Sequence, residues 1–278
     1  MIYDILLQKF DNIKIVKLTG GYTNTTLLLE GSNPLVIAKI YSNKNIDAKT
    51  EVSCLTFLDS AGMTPRVHDY FEENELLFVI MDYVPGLNGQ EFLEQGDLNQ
   101  RRTIFERLGT FLARDVHSLI RDNYELDLPL MNLFDPKGDE HDLVPDHLKK
   151  LVEHVLSVPG TGKSTLIHGD YGPHNVLISN DSMHIIDWEW AAWGHPLYDV
   201  AWVIWFVNLH YPHFAKELSE VFLNAYKEHS DLPITNDLIK AYSTSKVIHI
   251  INRIKYANAD VKAEWLRRLA WTLQTRFV

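Results

Sequence analysis

The chain changes texture once, at Pro85-Gly86, and that change constrains its fold more than any other feature. Before it lie short β-like runs, IKIVKL (13–18), TTLLLE (25–30) and LVIAKIY (35–41), separated by the turn formers TGG and GSNP; they read as an antiparallel meander. A helix is expected from Asp47 to about Ala61, with Asp47 as N-cap and Gly62 as stop. RVHDYFE (66–72) and LLFVIMDYV (76–84) read as two further strands around a turn at Glu73-Asn74. Beyond Gly86 the period becomes helical: Ile104, Leu108, Phe111, Leu112, Val116 and Leu119 recur every three or four residues and predict one amphipathic helix over 98–119. Helices dominate the rest of the chain, interrupted between Thr165 and Trp188 by the β-like TLIHGD, NVLIS and MHIIDW. The pattern predicts an α+β chain of two lobes, 1–85 and 86–278, with a cleft between them.

Composition narrows the function. With 26 Lys plus Arg against 37 Asp plus Glu, the net charge of −11 repels phosphate backbones and anionic lipid, so neither nucleic acid nor a membrane surface is an expected partner. The same excess suits a cationic substrate, or solubility alone. One cysteine, Cys54, rules out an intramolecular disulfide and a cysteine-built zinc site, and its setting in SCLTFL reads as a packed small hydrophobe. A start of MIYDILLQKFDNIK lacks the signal-peptide pattern, and the richest apolar run, DVAWVIWF (199–206), is too short for a membrane span. The expected setting is cytoplasmic, with no obligate protein partner.

The chemistry concentrates in His168-Gly169-Asp170-Tyr171-Gly172-Pro173-His174-Asn175, followed by Ile186-Asp187-Trp188-Glu189. Asp170 and Asn175 flank a Gly/Pro-containing loop, and Asp187 ends the strand after a turn at Asn180-Asp181-Ser182, a spacing that can bring all three to one edge. Phosphoryl transfer uses this kit: a carboxylate to orient a hydroxyl, and an amide with a second carboxylate to hold magnesium against phosphates. Turn-forming preference alone would also place Asp, Asn and Gly here. Lys39 shares a strand face with Ile37 and Tyr41, which fits either a site ammonium or an edge-strand lysine that discourages aggregation. Glu51, Leu55 and Leu58 fall at i, i+4 and i+7, so the carboxylate lies on the apolar stripe and a Lys39–Glu51 pair follows naturally, with a solvated helix residue as the plain alternative.

These motifs resemble the catalytic loop and metal-binding segment of the aminoglycoside phosphotransferase and choline kinase-like family, within the protein-kinase-like fold. The resemblance covers nearly the whole chain. It implies a two-lobed kinase-like fold, Asp170 as catalytic base, Asn175 and Asp187 as Mg2+ ligands, and His168 as a support of the loop. It implies that Lys39 contacts the phosphates of ATP or GTP with Glu51 holding it. Gly21, Thr23, Asn24 and Thr25 would form the nucleotide loop, which lacks the protein-kinase glycine spacing. Asp82, Tyr83 and Val84 would offer backbone groups to the base. Asp199 resembles a buried aspartate that braces the catalytic loop, with a helix N-cap as the plain alternative, and His117 resembles a packing position of the fold.

Gly169 replaces the arginine of H-R-D, Trp188-Glu189 replaces Phe-Gly, and no A-P-E follows, so a small-molecule kinase fits better than a protein kinase. The expected reaction is transfer of the γ-phosphoryl group to a hydroxyl of an aminoglycoside-like, cationic substrate. Choline, ethanolamine, homoserine or another metabolite is the alternative acceptor, and a nucleotide-binding pseudokinase the alternative class. Acidic residues (Glu189, Glu217, Glu220, Asp237) and tryptophans (Trp190 and Trp193 among them) are candidates for the acceptor pocket. Gly160-Thr161-Gly162-Lys163-Ser164 imitates a P-loop but carries Ser157 where the first glycine belongs, and it reads as a connector. The thirteen histidines show no metal-ligand spacing. The segment from Asp122 to Pro159 reads as a substrate cover or a surface insertion.

Overall fold

The short runs of the first third pair into a five-stranded antiparallel sheet, seen in a computed structural model that describes residues 1–18, 24–136, 143–158, 162–179 and 182–278. Gly21 and Thr23, with the turn at Asn180-Asp181, lie outside the described residues. In chain order the elements are α1 (Ile2–Lys9), β1 (Lys14–Lys17), β2 (Thr25–Glu30), β3 (Val36–Ser42), α2 (Ile46–Leu58), β4 (Val67–Glu73), β5 (Leu76–Asp82), β6 (Leu87–Asn88), α3 (Gly89–Gln95) and α4 (Leu98–Phe111). After these come β7 (Leu130–Met131), α5 (Asp146–Leu156), β8 (Thr165–Ile167), β9 (Val176–Ser179), β10 (Ser182–Ile185), β11 (Ala192–Gly194), α6 (Leu197–His210), α7 (Ala215–Lys227), α8 (Asn236–Arg253) and α9 (Ala259–Gln274). The chain divides into two units, Met1–Gly89 with Leu126–Leu128 and Asn175–Ala191, and Gln90–Glu125 with Pro129–His174 and Ala192–Val278.

In the first unit the sheet order is β1-β2-β3-β5-β4, which makes β3 a central strand. Lys39 therefore sits opposite Thr26 on one side and Val79 on the other, and an edge-protecting role does not apply. Leu27, Leu29, Ala38, Phe78 and Ile80 form the core with Leu6 of α1. Asn74 and Glu75, both at positive φ, make the β4–β5 turn one residue later than expected. The N-cap of α2 is Asn45, not Asp47: its side chain accepts the Asp47 amide at 2.9 Å, because a cap must precede the amide it satisfies. The α-helix ends at Leu58, and a tighter turn over Asp59–Ala61 leads to Gly62 in the left-handed region. The β9–β10 hairpin joins this unit through β6, which pairs with β9. Gly86, at φ +154°, permits that junction: a Cβ there would lie 2.6 Å from the Ile178 carbonyl oxygen.

In the second unit α4 opens with a reciprocal cap between Asp97 and Gln100. The helix expected over 98–119 stops being α-helical at Phe111. A π-turn spans Leu112–Val116, in which the His117 amide bonds the Leu112 carbonyl at 2.9 Å. Periodicity of three and four cannot register one extra residue per turn, so the run reads as continuous. α6 is apolar all round and buried along nearly its whole length. β7, β11 and β8 form a small mixed sheet. The segment read as a cover or insertion contributes β7 and the amphipathic α5, whose Leu148, Val152 and Leu156 are buried. No helix among the described residues is long and apolar enough to cross a membrane.

Candidate active site

Within the first unit, β3 and α2 place Lys39 and Glu51 face to face. α2 buries Ala48, Glu51, Leu55 and Leu58 along one stripe, so the carboxylate goes inside with the leucines and is only 2% exposed. A buried carboxylate needs partners. Lys39 Nζ donates to both its oxygens at 3.1 and 2.8 Å, and the Tyr41 hydroxyl donates to Oε2. The same ammonium reaches Asp187 Oδ1 at 2.8 Å and Glu189 Oε1 at 2.9 Å. Burial alone would lower the Lys39 pKa, but Glu51 and the other carboxylates outweigh it and raise it well above the lysine range.

Asp187 holds φ +65° in the left-handed region, uncommon for a residue with a side chain. The preceding amide, of Ile186, donates to the Asn175 carbonyl at 3.0 Å, which ties the two expected metal ligands together along the hairpin. Asn24, the first described residue of the expected nucleotide loop, donates its side-chain amide to Glu189. Thr25 begins β2 opposite Ile40. Glu51, Asp187 and Glu189 each bring an oxygen within 4.8 Å of one another. Burial, offset in part by Lys39 and reinforced by Asp187 and Glu51, lifts the Glu189 carboxyl to about 7. An all-oxygen donor set with this surplus of negative charge fits a hard divalent cation such as Mg2+.

The linker residues stand apart from this cluster. Asp82 accepts from His68 Nε2 at 2.6 Å and donates its amide to the Arg66 carbonyl, while the Tyr83 amide donates to the Leu35 carbonyl at 3.0 Å. Any backbone recognition of a base therefore falls to their remaining groups and to Val84. Cys54 is fully buried, and burial pushes its thiol pKa well up, consistent with a packing role.

In the second unit the residues around Asp170 are held by Asp199. Its Oδ2 accepts the His168 amide at 2.7 Å and its Oδ1 the Gly169 amide at 2.8 Å, while His117 Nε2 lies 3.2 Å from Oδ2. The N-cap alternative for Asp199 does not hold; it lies inside α6 and braces the loop. The π-turn is what delivers His117 to this carboxylate, with its other nitrogen 2.8 Å from the Tyr226 hydroxyl. Asp170 itself is partly exposed. Trp202 Nε1 donates to its Oδ1 at 2.8 Å, and His174 Nε2 lies 3.5 Å from Oδ2. Burial would raise its pKa; the hydrogen bond and charge of His174, with Lys246 and His168, hold it instead at about 2.

Several partners are not legible in the motifs. Glu189, grouped with acidic residues for the acceptor, sits on Lys39, and Glu217 pairs with Arg102 at 3.1 Å. Trp193, a pocket candidate, is 2% exposed on β11 and lines a cavity with His195, Tyr198 and Tyr242. Trp202 and Lys246 carry no signal: one lies in an apolar run, the other in the polar stretch Ser243-Thr244-Ser245-Lys246, all of which is buried.

A family model described as "Phosphotransferase enzyme family" matches residues 14–233. Two curated relatives, both Protein LicA of Haemophilus influenzae, are 34% and 23% identical over 181 residues, 65% of this chain and 45% and 57% of theirs. The chain thus spans about half the length of the curated relatives it matches. Among solved structures, a thermostable mutant of aminoglycoside phosphotransferase APH(4)-Ia in ternary complex with ADP and hygromycin B aligns with TM-score 0.69 and 18% identity, covering 98% of this chain and 97% of that one. Amicoumacin kinase hAmiN, in complex with AMP-PNP, Ca2+ and Ami, aligns with TM-score 0.66 and 14% identity over 97% and 92% of the two chains. The fold is thereby that of the two-lobed kinase-like phosphotransferases.

Proposed function

We propose, from the premise that this chain belongs to the phosphotransferase enzyme family, that it transfers the γ-phosphoryl group of ATP or GTP to a hydroxyl of a small cationic acceptor of aminoglycoside type. The observation that carries this reading is the convergence of Glu51, Asp187 and Glu189 on Lys39, a set that phosphate oxygens and a divalent cation would divide between them. Lys39 neutralises phosphate charge and Glu51 keeps it aimed. We assign contact with the phosphates to Gly21, Thr23, Asn24 and Thr25, and contact with the base, through the backbone, to Asp82, Tyr83 and Val84. Asn175 and Asp187 hold Mg2+, which when bound neutralises charge developing on the transferred group.

Asp170, in the second unit, accepts a hydrogen bond from the acceptor hydroxyl and aims its oxygen at the γ-phosphorus. A carboxyl held at about 2 is a weak base, so orientation is its larger contribution, and it takes the hydroxyl proton only late in a loose transition state, as the bond from the γ-phosphorus to the leaving nucleoside diphosphate breaks. The excess of 11 negative charges favours an acceptor bearing amines. Retention of Lys39, Asp170, Asn175 and Asp187 together favours an enzyme over a pseudokinase.

The test is a coupled assay of ATP and GTP turnover against hygromycin B, other aminoglycosides, a macrolide, choline and amino alcohols. Stimulation by aminoglycosides is expected. Stimulation by choline alone would replace the acceptor class, and nucleotide binding with no stimulation at all would favour the pseudokinase.

A further inference from the structure

Trp202 of α6 and Lys246 of α8 bear on Asp170 from two different helices. The Trp202 indole N–H donates to Asp170 Oδ1 at 2.8 Å, and the ring is fixed by stacking on Trp205 with centroids 4.4 Å apart and planes within 8°. Trp205 is itself 1% exposed and anchored by a 2.7 Å bond from its Nε1 to Thr272. This indole has little freedom to leave the carboxylate. Lys246 is 1% exposed, in the middle of a helix, with its Nζ 5.6 Å from the Trp202 ring centroid. The charges acting on it are the carboxylates of Asp170 and Asp199.

A lysine so buried is expensive, and the carboxylates of Asp170 and Asp199 are what offset the cost. Its charge therefore acts on the one carboxylate assigned to the acceptor hydroxyl. Resting on the reading of Asp170 as the group that orients that hydroxyl, we propose that Trp202 and Lys246 are positioning residues for phosphoryl transfer. Trp202 fixes Oδ1 so that Oδ2 is the oxygen presented to the acceptor hydroxyl, and the Lys246 ammonium balances the Asp170 and Asp199 charges that would otherwise repel across the loop. Burial, working against those two carboxylates, brings Lys246 down to about 7, so its charge is lost over the neutral range. His174, His168 and Lys246 are the charged groups that face Asp170.

The test is Lys246→Met in the full chain, with Trp202→Phe beside it, read as steady-state Mg-ATP turnover with the stimulating acceptor between pH 6 and 9. For Lys246→Met the expected result is a lower melting temperature, since Asp170 and Asp199 lose their buried cation, and a kcat lower by about tenfold or more. The KM for ATP should stay within about twofold, and the fall of wild-type kcat centred near pH 7 should vanish. Trp202→Phe keeps an aromatic side chain against Trp205 while removing the indole N–H donor; its kcat should drop about three- to tenfold with the ATP KM unchanged. Wild-type kcat in both variants, or an alkaline fall that survives in Lys246→Met, overturns the proposal. If Lys246→Met does not fold, Trp202→Phe decides by the same split of kcat from KM. Asp170→Asn is run alongside: if it is active, the reading of Asp170 itself fails, whereas an inactive Asp170→Asn beside wild-type-like Trp202 and Lys246 variants removes only the positioning roles.

Discussion

Glu51→Gln isolates what the buried carboxylate of α2 does for Lys39. The side chain is 2% exposed and accepts from Lys39 Nζ at 3.1 and 2.8 Å and from the Tyr41 hydroxyl. Glutamine keeps the volume and one acceptor but turns the other position into a donor that faces an ammonium. Breaking a buried ion pair costs about 3–5 kcal/mol when the surviving charge is left alone. Here Lys39 still has Asp187 at 2.8 Å and Glu189 at 2.9 Å, so the stability loss should be that of one hydrogen bond to a charged group, about 1.5–3 kcal/mol. The larger effect is on nucleotide handling, since an ammonium no longer drawn toward α2 is pulled toward the two remaining carboxylates. If the same free energy is missing when phosphate binds, the KM for ATP rises about 10- to 100-fold, at about 1.4 kcal/mol per tenfold. Urea unfolding gives the first quantity and ATP dependence at saturating acceptor the second. A folded variant with an ATP KM within about twofold of wild type would refute the reasoning, because Lys39 would then not depend on Glu51 for its aim.

Other outcomes rest on the same contacts. Asp199→Ala leaves the His168 and Gly169 amides without their acceptor in a fully buried place, at about 1–3 kcal/mol per group, so urea unfolding should show a loss of about 2–6 kcal/mol; a loss under about 1 kcal/mol would mean that the brace is not energetic. Glu189 gives a pH test. Its folded carboxyl is raised to about 7 from an ordinary 4.5, so the folded chain binds the extra proton, and that contribution to stability is complete below 4.5 and lost as pH rises through about 7. In metal-free protein Glu189→Gln should flatten the decline in urea midpoint between pH 5 and 8, and an unchanged slope would remove Glu189 as its source.

How far the sequence can be read depends on the kind of signal. Alternation and turn residues carry the five-strand sheet because each of its strands is short, local and bounded by Gly, Pro or Asn, and helical spacing places Glu51 on the stripe that meets Lys39. Lys39 and Asp187, each singled out by its own local motif, meet at 2.8 Å across 148 positions, a contact that neither motif's spacing reports. Spacing says nothing about contacts made between distant segments. Glu189 on Asn24 spans 165 positions and His117 on Tyr226 spans 109, and neither leaves a local pattern. The π-turn is hidden because its residues, Leu112 to Val116, keep the apolar composition of the helix they interrupt. Lys246 is hidden because a lysine in a polar stretch normally marks a solvated face, and here tertiary packing buries the whole stretch.

The central claim is that Asp170 serves phosphoryl transfer to an acceptor hydroxyl, and the most direct measurement is kcat of Asp170→Asn with the stimulating acceptor, taken together with ATP binding. Asparagine preserves shape and the contact with Trp202 but removes the charge that orients the hydroxyl. The account predicts a kcat lower by about 100-fold or more, with ATP bound as tightly as in wild type. Turnover within about tenfold of wild type would contradict it.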